Sequence, residues 1–525
     1  MPEATAILEG RHHPGDLHLD CDVAIVGSGA SGAVAAAILA EAGRSVVVLE
    51  EGGHVPPERY ARFRPTEAMR HMFRDAGTTA ALGIGDTPVL SILAGRTVGG
   101  SSTLTGGVIF RIPEPVLEGW VRDHGLAGLS PEALEPAYRS VETMLSVETV
   151  PDALRSRSTR LFEKGAARLG YELKPMRRNI VGCKGSSRCN FGCPHGAKLS
   201  VDLNYLVKAR EHGALVVSDC RVERLRIESD RITGLEGRLL DADGRRRGRV
   251  RVRATKVIVA ASALSTPLLL QQAGVGRWSR QVGRHLSLHP AARVAALFDE
   301  DVSGWKGALQ SAYADAFQHE GLTLNSVFAT PNVIGAMLPG IGAELDGYAR
   351  QMRHLATFGM MVHDEGGGRV WRLPGGGALY TYRMAPRDKA RLIRGIRLLA
   401  ETFFAAGARE VLLPVFGQRP IRSVDELRFL DDPNLKARRF ECLTFHPLGS
   451  ARMGTDPSSS VVRETGETWD VRNLYVIDGS VFPTSIGVNS QLPIMAVATR
   501  LAWGIAEDFR RSTLHPARAV TRAAP

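Results

Sequence analysis

The stretch CDVAIVGSGASGAVAAAILAEAGRSVVVLE, residues 21–50, decides the fold class of this chain. Val23–Val26 is a short apolar strand, and Gly27-Ser28-Gly29-Ala30-Ser31-Gly32 follows it directly. Ala33–Ala42 is rich in alanine, the best helix former, and stops at Gly43, a residue suited to a left-handed cap. Ser45–Leu49 is a second apolar strand, closed by Glu50. The spacing predicts a βαβ unit of about 30 residues that binds a dinucleotide. Gly27 permits the tight turn, Gly29 lets a pyrophosphate approach the backbone, and Gly32 lets helix pack on strand. Ser31 sits at the helix N-terminus, which faces the phosphates, and Glu50 can accept hydrogen bonds from a ribose diol. The glycines alone would be weak evidence. Both strands, the helix and the acid together are specific.

The surrounding composition agrees with a large enzyme. Of 525 residues, 44% are apolar and 23% charged, which excludes a coiled coil, a collagen-like fibre and a disordered chain. No apolar run approaches the ~18 residues of a membrane span. The first twenty residues lack both a basic n-region and an apolar h-region, so a cytoplasmic location is expected. The net charge of +11 raises the question of nucleic acid, but only 9 of the 66 basic residues are lysine. The densest run, Arg245–Arg253, alternates with valine after the turn Asp241-Ala242-Asp243-Gly244, which predicts an exposed hairpin without stacking aromatics. Nucleic acid is therefore not an expected partner. The basic tail, residues 511–525, is expected to fray.

Further apolar strands, Val216–Asp219, Val257–Ala261 and Leu474–Asp478, are widely separated and show no internal repeat. They suggest one nucleotide-binding domain interrupted by insertions, made of residues 15–110, 180–290 and 440–510. Residues 111–179 would connect or cap it. Residues 291–439 differ in character, with apolar segments such as Thr357–Val362, glycine turns and a long helical pattern over Pro386–Ala406. They read as a substrate-side domain. The fold class is α/β, α+β overall, with an antiparallel sheet and helices in the second domain.

The C-terminal part carries a family resemblance. Phe445-His446-Pro447-Leu448-Gly449-Ser450, then Asn473–Thr484, then Gly487-Val488-Asn489, resemble the glucose–methanol–choline (GMC) flavin oxidoreductases. The glycine-rich loop Gly99-Gly100-Ser101-Ser102 falls in the order that family shows, and the Gly466–Trp469 turn looks most like its long-chain alcohol oxidase branch, with cholesterol oxidase-like members sharing elements. The resemblance implies a Rossmann-like FAD-binding domain, with Glu50 holding the adenosine ribose. It also implies cofactor contacts at Gly99, Gly100, Thr105, Val222, Ala260, Asp478, Gly479, Asn489 and Ser490. Family members with covalent FAD carry a histidine in the flavin loop; Ser101–Thr105 has none, so non-covalent FAD is expected. Pro493 stands in the first turn of a helix after Asn489, where its missing amide costs nothing.

Flavin-dependent alcohol oxidation needs two side chains to orient one hydroxyl, one of which accepts its proton. The resemblance places these roles on His446, as base, and Asn489. A base of ordinary imidazole character would make flavin reduction rise with pH near neutrality. Isolated histidines such as His354 and His363 read as surface or packed residues, with His195 the next base to consider. The expected partners are a small alcohol, weakly favoured as hydrophobic, and oxygen, a quinone or an electron-acceptor protein. Three cysteines, Cys183, Cys189 and Cys193, lie within eleven residues among basic neighbours, a pattern compatible with a soft metal or iron–sulfur cluster. A similar loop in FAD-dependent sugar dehydrogenases holds a three-iron cluster; reduced thiols are the plain alternative. A sugar-type dehydrogenase and a non-catalytic flavin-containing redox partner remain the competing functions. Cys21, Cys220 and Cys442 read as core residues.

Overall fold

The first long strand runs Leu17–Val26, well beyond its predicted start, because its early half pairs in parallel with the basic strand Arg246–Val259. The computed structural model describes residues 7–511 except 329, 336 and 337, together with the strand Thr521–Arg522. The rest of the basic tail lies outside the described residues. After the strand, Gly27 turns with φ +99°, and the helix Ala30–Glu41 starts as soon as extended Gly29 releases it. This helix is apolar all round, as expected of one with no solvent face: Ala33–Ala37 are buried between the sheet and the C-terminal helix Gln491–Arg511.

Among the described residues six strands run parallel, in the order Leu8–Glu9, Leu215–Ser218, Val46–Leu49, Leu17–Val26, Arg246–Val259, Leu474–Val476. Their carboxyl ends open onto one edge, where ligands of doubly wound sheets bind. Arg231–Leu240 and Cys220–Glu228 extend the sheet antiparallel. The expected hairpin is present: Asp241 Oδ1 accepts from the amides of Asp243 and Arg245, and Arg249, Arg251 and Arg253 point outward while Val250 and Val252 are buried. These arginines pair with Asp16, Glu236 and Asp20. Three of the six arginines of the run are thus paired with acids on the exposed face.

The second sheet centres on three antiparallel strands, Ala291–Leu297, Leu355–Val362 and Leu322–Ser326. Helices Arg157–Arg168 and Pro386–Ala406 cover its outer face, where Phe162 stacks on Phe358 at 3.7 Å. The long helix has its predicted bounds because Pro386 starts it and Gly407, at φ +102°, ends it. One feature of the division differs from expectation. Ala80–Gly83 and Leu90–Ile92, from the stretch assigned to the nucleotide side, and Lys174–Pro175, from the connecting stretch, are strands of this second sheet. Short edge strands of this kind carry too little periodicity to be assigned to one sheet or the other from sequence.

Gly32 carries the junction of helix and strand. A Cβ there would lie 2.0 Å from the Gly27 carbonyl oxygen. Gly32→Ala is expected to destabilise the protein by about 1–3 kcal/mol, the usual cost of overpacking, read as a lowered denaturant midpoint. An unchanged midpoint would mean that the turn yields freely.

Candidate active site

A cavity of about 320 Å³ opens at the carboxyl edge of the parallel strands and reaches the inner face of the second sheet. Four of the parallel strands deliver residues to it directly: Gly27 and Gly29 follow Val26, Glu50 follows Leu49, Ala260 follows Val259, and Asp478 and Gly479 follow Val476. Ser31, Gly100, Thr105, Val222, Asn489 and Ser490 also line it. Gly32 and Gly99 do not; they act one step behind, Gly32 in packing and Gly99 by turning the chain at φ +86° so that Gly100 meets Gly29.

The glycine loop separates two requirements. Side chains at Gly27 and Gly32 would strike backbone, at 2.4 and 2.0 Å, whereas one at Gly29 would meet nothing nearer than 3.9 Å and would project into open space. The protein's own packing therefore does not demand glycine at position 29. Glu50 is shaped toward the same space: Oε2 accepts from the Ser28 amide at 3.0 Å and hydroxyl at 2.8 Å, and Oε1 from the Gly52 amide at 2.8 Å. Burial pushes its carboxyl up, and these donors partly restrain it. Its neighbour Glu51, although buried, is held down to about 2 by Arg74, Arg221 and Arg96. Buried Oδ1 of Asn489 and Nε2 of Gln491 have no protein partner and both residues line the cavity. Unsatisfied buried polar atoms of this kind call for a ligand. Asp478 is occupied otherwise, capping the Ser480 amide at 2.8 Å and accepting from Thr266, and so fixes the strand end.

His446 and Asn489 come together from segments 43 residues apart, with Asn489 Nδ2 3.3 Å from His446 Nε2. The loop before Asn489 is clamped from beneath. His289, fully buried, accepts the amides of Ile486 and Gly487 on Nε2, each at 3.2 Å. His363 Nε2 lies 3.1 Å from the Ser485 carbonyl, and Thr323 donates to the Gly487 carbonyl at 3.1 Å. Burial, and then His289 at 5.3 Å between ring centres, push His446 down to about 3. This departs from the near-neutral titration expected of it: the depressed value keeps the ring neutral throughout the physiological range. Of the other histidines, His363 is packed, His354 sits at the surface against the Glu300 carbonyl, and His195 is exposed. His195 is thereby removed as an alternative base.

The cysteine loop does not gather its thiols. Among the described residues no three His, Cys, Asp or Glu side chains are placed to hold a metal ion, which corrects the expectation for Cys183, Cys189 and Cys193. Cys183 accepts from the Gly185 amide at 3.4 Å, within its own turn, and Cys189 turns inward to Arg178 at 3.2 Å. The loop is organised instead by Lys198. This buried ammonium donates to the carbonyls of Thr103, Thr105 and Cys189 at 2.7, 2.9 and 3.1 Å, and burial lowers its pKa to about 8. Arg178 donates to the Gly106 carbonyl. Lys198 and Arg178 thus hold the Ser101–Gly106 loop, and Thr105 in turn donates to Gln491 Oε1 at 2.8 Å.

Sequence reasoning missed Arg74, Glu51, Gln491, His289, Arg293, Asn325 and Gln310. Only His289 left a trace, as a histidine directly before a proline and an apolar strand. The others lie on elements whose meeting is set by the fold.

Comparison with known proteins places this geometry. GMC oxidoreductase family models match residues 24–291 and 379–498. The chain belongs to the GMC oxidoreductase family. This GMC oxidoreductase is 38% identical to an uncharacterized GMC-type oxidoreductase of Mycobacterium tuberculosis, over 92% of this chain and 75% of that one. It is 28% identical to the long-chain-alcohol oxidase FAO1 of Arabidopsis thaliana, over 94% and 67%. Its fold matches pyridoxine 4-oxidase from Mesorbium loti, with TM-score 0.71, 19% identity and coverage of 93% and 99%. It also matches the formate oxidase of Aspergillus oryzae RIB40, with TM-score 0.73, 16% identity and coverage of 95% and 100%. Among the described residues no helix is long and apolar enough to cross a membrane.

Two outcomes follow from the site. Gly29→Val should fold with near-parental stability and purify without bound flavin, in contrast to Gly32→Ala; retention of flavin by the valine variant would remove Gly29 from the cradle. Protein purified without oxygen should contain well under one iron per chain, measured by elemental analysis. A content of about three would show that the thiols regroup around metal.

Proposed function

We propose that this GMC oxidoreductase binds FAD non-covalently and oxidises an alcohol to an aldehyde or ketone, with His446 as base and Asn489 as the second anchor of the hydroxyl. The observation that carries the reading is the His446–Asn489 pair, 3.3 Å apart and facing the cavity that Glu50 and Gly29 also line. The residues available to hold the cofactor are Gly29, Ser31 and Glu50 at the nucleotide end, Gly100, Val222 and Ala260 along the crevice, and Thr105, Gly479, Ser490 and Gln491 nearer the pair. The absence of histidine from Ser101–Thr105 supports non-covalent binding. FAD, when bound, supplies the hydride acceptor.

The chain's own part is to take the proton and fix the oxygen. Asn489 Nδ2 donates to the substrate oxygen, and the neutral Nε2 of His446 takes the hydroxyl proton as the carbon loses hydride. Two electrons and one hydrogen leave carbon together, and one proton resides on imidazole. In this reading the parallel sheet presents the cofactor end, and the inner face of the second sheet closes the alcohol end. Gathered thiols are lacking for the sugar-type reading with an iron–sulfur relay.

General-base removal is worth ~10²–10⁴-fold in rate, so His446→Ala should lose about that much in anaerobic flavin reduction while retaining flavin. Asn489→Ala should slow reduction as well. Because the pKa of His446 is depressed, its charged form appears only as pH falls toward about 3. Reduction by the parent enzyme should accordingly show no His446-dependent step between about pH 5 and 8. A step near imidazole's ordinary value that vanishes in His446→Ala would contradict the buried, neutral ring.

A further inference from the structure

The inner face of the second sheet carries a graded set of side chains. Its register places Leu443, Ala291, Met361 and Thr323 in one row across four strands. Thr323 reaches the Gly487 carbonyl, so this row lies beside the loop that ends in Asn489. The next row is Arg293, Gly359 and Asn325. Two residues along a strand displace it by roughly 7 Å. Arg293, Gly359 and Asn325 all line the cavity.

Glycine at 359 keeps this row open. A Cβ there would come within 3.1 Å of Val327 Cγ1, and within 3.5 Å of both Arg293 Cγ and Asn325 Oδ1. A notch therefore separates a guanidinium side chain from a carboxamide, both on rigid central strands. We propose that Arg293 and Asn325 form an anion subsite, which selects alcohols carrying a carboxylate about two strand residues beyond the reacting hydroxyl.

The inference rests on the alcohol-oxidising reading and names the class of alcohol. Arg293 is engaged within the protein and still forms part of the cavity wall. Its basicity is lowered by burial and supported by Glu441, but a guanidinium keeps its proton at any working pH. Its planar fork matches a carboxylate with two parallel hydrogen bonds, and Asn325 can add a third donor. An alkyl tail pressed against the same wall would strip water from a cation and give nothing in return. This narrows the hydrophobic alcohol weakly favoured from sequence to one that also carries an anion.

The test uses the flavin-loaded enzyme and a rigid matched pair, 4-(hydroxymethyl)benzoate and benzyl alcohol. Anaerobic flavin reduction should favour the carboxylate on the order of 10- to 100-fold in kcat/KM, the effect of charged hydrogen bonds. That ratio should fall toward one in Arg293→Gln and to an intermediate value in Arg293→Lys, which keeps the charge but loses the fork. Benzoate, which cannot be oxidised, should bind the parent by calorimetry and lose that binding in Arg293→Gln. A parent enzyme with no preference for the carboxylate, or benzoate binding indifferent to position 293, would overturn the subsite. Arg293-dependent benzoate binding without flavin reduction by either alcohol would instead uphold the subsite and overturn the alcohol reading.

Discussion

The approach of the Gly27 carbonyl to the face of Gly32 is the contact on which the rest of the structure depends. It seats the Ala30–Glu41 helix against the first strand, leaving no room for a side chain between them. Because the helix is held there, its N-terminus and Gly29 look along the carboxyl ends of the parallel strands instead of into solvent. The dipole of that helix then favours negative charge at the cavity. Glu50 cannot reach the helix end freely, since Ser28 and Gly52 bind both its oxygens. Its orientation is set before any ligand arrives.

A second constraint is imposed at the opposite end. His446 follows the strand Cys442–Thr444 of the second sheet, and Asn489 precedes the helix Gln491–Arg511 that packs on the first helix. Their distance consequently depends on how the two sheets are joined. The joint is polar and buried: His289, His363 and Thr323, all on or beside strands of the second sheet, hold the Ser485–Gly487 loop by its backbone. Buried hydrogen bonds of this kind are costly to leave unmade, so the loop has one low-energy position. The placement of His446 against Asn489 inherits its precision from that requirement.

This division explains what was legible in the sequence. The Cys21–Glu50 unit could be read because its parts are consecutive, and local spacing encodes local packing. The Pro386–Ala406 helix could be read because 21 residues of regular apolar spacing lie between a proline and a glycine. His446 and Asn489 were visible only through family motifs, since nothing in their own neighbourhoods announces a 3.3 Å approach. Arg293 and Asn325 were invisible for a plainer reason. They meet across Gly359 through strand register, and register is a property of three segments at once. The cysteine loop misled because its basic neighbours read as thiolate-stabilising, whereas Lys198 is turned toward the carbonyls of Thr103 and Thr105 and Arg188 toward those of Tyr60 and Ala61.

The arrangement of charge along the cavity follows from these two constraints. At the end lined by Gly29 and Glu50, Glu51 is shared by Arg74, Arg96 and Arg221, so the cluster carries excess positive charge, and burial raises the carboxyl of Glu50. At the centre, burial keeps His446 and His289 neutral, each depressed to about 3. At the far end stands Arg293. On the reading proposed above, a neutral imidazole leaves Nε2 of His446 free to accept the hydroxyl proton, at the cost of lowered basicity. It also restricts what can be recognised: with no charge at the centre, attraction for an ionic substrate must come from the periphery. Position along the cavity, set by strand register, then converts a charged contact at Arg293 into placement of a hydroxyl at His446. Binding energy gained at the anion end is thereby available to orient the reacting carbon, which is the use that catalysis makes of remote contacts.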